Sequence, residues 1–118
     1  MKRGFHKRVS FGINFGLSPG AAATLAKLST PEKIQDFVSD LDFNREKNGD
    51  TCQSVVRTLE NGYAHCIEGA FVAACALWMG GSPPLVMDMQ AQGDDDHVIT
   101  LFRSHRSEER RVGKECRL

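Results

Sequence analysis

The segment from Cys66 to Met79 constrains the fold most. Glu68 is its only charged residue, and nearly everything else in it is apolar or small. Ile67, Ala70, Phe71, Ala74, Leu77 and Trp78 share one helical face, while Gly69, Ala73 and Ala76 keep most of the remaining surface small. A helix that is apolar round most of its circumference must be covered on several sides, so the spacing predicts a central, largely buried helix over 66–79. Its limits are marked by Asn61-Gly62, a stop for the preceding helix, and by Gly80-Gly81-Ser82-Pro83-Pro84, which cannot continue it.

The flanking sequence supplies the covering elements. Ser18-Pro19-Gly20 is a turn or helix entry, and Ala21 to Leu28 can form a short helix. Thr30 can cap a helix with Pro31 at its first position, or Ser29 and Glu32 can form a capping box. Ile34, Phe37, Val38 and Leu41 then repeat at the spacing of one amphipathic face. After the polar stretch Asn44 to Gly49, Asp50 can cap a further helix whose stripe is Cys52, Val55, Val56 and Leu59. Leu85 to Met89 is a strand candidate, Gln90 to Asp96 a polar loop, and His97 to Phe102 a second strand rich in β-branched and aromatic residues. Helices first and strands later predict an α+β domain with a helical layer packed on an antiparallel sheet. Only two strands are legible, and two strands alone are marginal, so the sheet reads as incomplete.

Length and charge narrow the class. A chain of 118 residues makes one domain, and 41% hydrophobic with 25% charged residues is ordinary globular composition. No apolar run suggests a membrane span, and no apolar core follows Lys2, Arg3, Lys7 and Arg8 as a secretory signal would require. The expected location is the cytoplasm. Residues 1–17 show no reliable period and read as a solvated, poorly ordered basic extension. Residues 18–105 read as the domain proper. From Arg106 to Cys116 the chain resembles the in-frame translation of a common sequencing-library adapter. Residues 106–118 are therefore expected to be non-native, and their charge density argues against packing as a helix or a strand. Without them, ten cations stand against twelve carboxylates.

Four cysteines, Cys52, Cys66, Cys75 and Cys116, have no C-x-x-C spacing and read as free thiols. Cys52 falls in an apolar stripe, where a thiol behaves as a small hydrophobe. Cys75 is half a turn out of phase with Cys66, so the two leave opposite sides of one helix. Cys66 opens that helix, where backbone N–H groups and the positive dipole end favour a thiolate and could receive an oxyanion. His65 is its sequence neighbour, and adjacent residues at a helix start do not usually face one another. His97 follows Asp94-Asp95-Asp96 and heads a strand, a place suited to a base or to an ordinary strand-entry histidine. The Asp run reads as a solvated loop. It lacks the alternate spacing of a calcium loop, and no second Cys or His falls at zinc-ligand spacing, so no metal is expected.

From Leu28 to Phe102 the chain resembles a bacterial branch of the transglutaminase-like superfamily. The resemblance rests on Leu28-Ser-Thr-Pro-Glu-Lys-Ile-Gln-Asp-Phe37, Lys47-Asn-Gly-Asp-Thr-Cys52, His65-Cys-Ile-Glu-Gly-Ala70, Pro83-Pro-Leu-Val86 and Asp94-Asp-Asp-His-Val-Ile99, in that order. It implies a papain-like core with Cys66 as nucleophile and His97 as base. The third member, an acid on the strand after Phe102, is missing, and Asp94 to Asp96 do not take its place. In serine proteases, a mispositioned histidine costs about 10⁴ in rate. The implied chemistry is cysteine-dependent amide-bond cleavage or acyl transfer on a peptide or protein amide, with no cofactor. The alternative is a scaffold or binding module of the same fold without turnover. The N-terminal cations have little aromatic interleaving, so nucleic acid is not an expected partner.

Overall fold

The computed structural model describes residues 3–43, 52–89, 97–103 and 109–112, with the backbone alone at 43, 88–89, 97, 102–103 and 109–112. The central helix runs over the predicted span, Cys66–Met79 (α5), and buries nearly its whole circumference, including Glu68, Gly69, Val72, Ala73, Ala76 and Met79. Around it lie α1 (Phe5–Asn14), α2 (Pro19–Ala26), α3 (Pro31–Asp40) and α4 (Val55–Asn61). Leu25, Ala26, Ile34 and Val38 from α2 and α3 meet Val72, Ala73, Ala76 and Leu77 of α5 in one core. Small residues let helix axes approach closely, while Leu25, Ile34, Leu77 and Met79, all fully buried, supply the apolar volume at about 1.5–3 kcal/mol each.

The helix starts follow local rules. Ser18 and Thr30 each accept a hydrogen bond from a backbone N–H of the first turn, with Pro19 and Pro31 at the first helical positions. Thr30 thus takes the cap that Ser29 could also have held. Ser54 caps α4 by accepting from Arg57 N–H. That helix begins later than the stripe predicted, and Cys52 lies before it, exposed. Asp50, the expected cap, lies outside the described residues, as does the Asn44–Gly49 stretch.

On the other side of α5 is a three-stranded antiparallel sheet in the order β3 (Leu85–Met89), β4 (His97–Arg103), β5 (Glu109–Val112). Leu85 to Met89 pair with Leu101 to His97. Val98 and Thr100 are buried, and Thr100 Oγ1 donates to Ala70 O of α5 at 2.5 Å, fixing the strand on the helix. The α+β arrangement of helices packed on an antiparallel sheet is present. The third strand corrects the expectation that the charged tail cannot form one. Backbone pairing with Thr100 to Arg103 is indifferent to side-chain polarity, and an edge strand tolerates charged residues.

The N-terminal segment also departs from expectation. In place of a poorly ordered extension, α1 packs on α2 and α5. Its buried residues are Arg8 and Gly12, which is why no apolar period is visible. Arg8 donates through Nε and NH2 to Ala26 O and through NH1 to Arg3 O. A Cβ at Gly12 would lie 3.0 Å from Met79 Cε and 3.1 Å from Leu17 Cδ1. Arg3 donates to Trp78 O at 2.7 Å and sits over the Phe11 ring, placing a cation at the C-terminal end of α5. Trp78, assigned by spacing to the apolar face, is 38% exposed and meets Phe11 edge-to-face and Phe15 at a tilt instead.

Candidate active site at the start of the central helix

Three devices determine where α5 begins. Gly62 ends α4 in the left-handed conformation (φ 76°), where a side chain would be strained. The chain then forms β2 (Tyr63–Ala64), parallel to β1 (Asp42–Phe43), with Asp42 N–H donating to Gly62 O at 3.2 Å. The third device is Glu68. Its carboxylate is fully buried: Oε1 accepts from His65 N–H at 3.0 Å, and Oε2 accepts from Gln53 N–H at 2.6 Å. His65 Nε2 stands 3.7 Å from Oε1. A buried carboxylate is costly unless hydrogen-bonded, and backbone donors from two separate segments offset that cost. Gln53 continues the network by donating through Nε2 to Tyr63 O and accepting at Oε1 from Asn61 Nδ2.

Cys66 is therefore the first residue of a well-anchored helix, preceded by His65 at the cap in extended conformation. It is 7% exposed. Its sulfur is bonded in a disulfide, which corrects the expectation of free thiols throughout. Spacing along the chain cannot show a bridge between distant residues, because only the fold decides which Cβ atoms approach. Cys52 and Cys75 are free. Burial pushes the Cys75 thiol from its ordinary 9.0 up to about 12, whereas Cys52, expected inside an apolar stripe, is exposed.

His97 opens β4 with its Cα opposite Met89, and its side chain lies outside the described atoms. β4 packs along α5, so the elements carrying Cys66 and His97 are in contact. Val98 and Thr100 are buried, Thr100 against the helix, and residue 97 stands at the alternate register position. Asp94, Asp95 and Asp96 lie outside the described residues. Among the described residues no three His, Cys, Asp or Glu side chains cluster to hold a metal ion, and no helix is long and apolar enough to cross a membrane.

No protein-family model matches the chain, and no curated protein matches it. Any function is therefore argued from the site itself. Sequence reasoning missed Glu68 and Gln53. For Glu68 a signal existed: a lone charge at the third position of an apolar helix marks a capping box, obscured here because the cap is His65 rather than Ser or Thr.

Proposed function

We propose that Cys66 is the nucleophile, and His97 the base, of a cysteine-dependent amide-bond chemistry of transglutaminase-like type on a papain-like core. The observation that carries it is the position of Cys66 at the first residue of a buried central helix; β4, which His97 heads, packs on that helix with residue 97 at the register position alternate to Thr100. Helix-start N–H groups and the dipole lower the cost of a thiolate there and suit a developing oxyanion. In the reaction the Cys66 sulfur attacks an amide carbonyl, the C–N bond breaks as His97 protonates the departing amine, and water or a second amine resolves the thioester. The substrate class is a peptide or protein amide. Cys66 must first be reduced, since a sulfur held in a disulfide has no lone thiolate to offer.

That requirement also makes the test. After reduction, alkylation of each cysteine by iodoacetamide is followed against pH by mass spectrometry. Cys66 is expected to react through an apparent pKa well below ~8.5, and His97→Ala is expected to move it upward. A Cys66 profile that coincides with that of exposed Cys52 would sink the proposal. The alternative reading is a transglutaminase-like scaffold or binding module without turnover. On that reading Cys66→Ser leaves the function of the protein intact.

A further inference from the structure

Glu68 is placed oddly for a residue of no consequence to the site. It is the one charge on α5, it is fully buried, and its two oxygens bind backbone N–H groups from different parts of the chain. One is His65, whose carbonyl side leads directly into Cys66. The other is Gln53, in the segment that enters α4. The His65 imidazole also stands beside Oε1, at 3.7 Å. A capping box on its own needs the contact to His65 only. The second contact, at 2.6 Å, ties the residue before Cys66 to an independent anchor.

Resting on the reading of Cys66 as nucleophile, we propose that Glu68 is a positioning residue for it. The carboxylate holds the Ala64–His65 peptide unit, one residue before Cys66, against Gln53, so the sulfur meets a carbonyl from a fixed direction. Displacement of a reacting group by about 1 Å can cost on the order of 10²-fold in rate. An amide at this position keeps one acceptor but presents N–H to the N–H of Gln53 or of His65, so Glu68→Gln loosens one of the two anchors with little change in volume.

The test uses the full chain, reduced, in a Cys52→Ser, Cys116→Ser background, with p-nitrophenyl acetate as acyl donor. The burst of nitrophenolate has an amplitude, which counts competent molecules, and a rate constant, which measures attack by the sulfur. Glu68→Gln and Glu68→Ala are expected to lower the burst rate constant by about tenfold to a hundredfold. The amplitude and the KM for the ester should stay close to those of the parent. An unchanged rate constant overturns the inference. So does an amplitude that falls in step with helical circular dichroism while the rate constant of the remainder is normal, or the loss of fold in both variants, because Glu68 is then a structural cap. If the burst survives Cys66→Ser in that same background, it is the nucleophile reading that fails, and that outcome is visible without any Glu68 variant.

Discussion

The three cysteines whose placement is known differ by environment, and each environment has a consequence. Cys75 faces the helical core and has its thiol pushed up to about 12, so the folded protein keeps a proton that the unfolded chain releases near 9.0. For a group whose folded pKa is raised, the stabilisation is complete below the unfolded value and is lost as pH rises toward the folded one. Unfolding free energy is therefore expected to fall between about pH 9 and 12, by up to ~1.4 kcal/mol per pH unit from this residue. Urea melts from pH 8 to 11 should show that slope in the parent and a shallower one in Cys75→Ala; equal slopes would remove Cys75 as the cause. Part of this was legible beforehand. The helical phase between Cys66 and Cys75 follows from residue count, and Cys75 is buried as a thiol on the central helix should be. What could not be read was the state of Cys66, because a disulfide depends on which side chains the fold brings together, or the exposure of Cys52, because its stripe continued a period that the helix itself does not use.

Elements whose contacts are apolar and periodic are recovered closely, and α5 and β3 have their predicted bounds. α1 escapes because it is built on the opposite logic, with an arginine and a glycine on its buried face. Arg8 satisfies the last carbonyl of α2, a group that would otherwise lack a helical donor, and Gly12 lets the helix lie against Met79, Leu17 and Ala22. Gly12 is where this arrangement is most easily broken. Glycine costs a helix up to about 1 kcal/mol relative to alanine, so an exposed Gly12 would gain by replacement. Here the new Cβ meets Ala22 Cβ at 3.3 Å as well as the two longer side chains, and the alanine methyl cannot swing aside. Gly12→Val is expected to destabilise by about 1–3 kcal/mol, the usual cost of overpacking, with Gly12→Ala much closer to neutral. Thermal melts of the two variants measure it, and a stabilised Gly12→Val would show that α1 is not seated on α5. The short β1 and β2 pair was also missed, since two-residue strands carry no alternation to detect.

At the scale of the whole molecule, α5 joins two layers that share little else. Helices α1 to α4 cover one part of its surface, and β4 covers another through Val98 and the fully buried Thr100. The Thr100 hydroxyl donates to Ala70 O, a carbonyl inside the helix, so the sheet is registered on α5 by a polar contact as well as by packing. If the layers form one cooperative unit, weakening this contact must lower the stability of both by the same amount. Thr100→Val keeps the shape and removes the hydrogen bond, and the expected loss is about 1 kcal/mol. Three probes report on different parts: far-ultraviolet circular dichroism on the helices, Trp78 fluorescence on the contact between α5 and the rings of Phe11 in α1 and Phe15 at its C-terminal cap, and amide exchange on β4. Coincident shifts in all three are expected. Faster exchange in β4 with unchanged helical and Trp78 transitions would mean that the sheet opens separately from the helices. Cys66 would then sit on a helix whose partner strand, the one headed by His97, comes and goes, and any chemistry requiring both residues would be limited by that opening rather than by the sulfur.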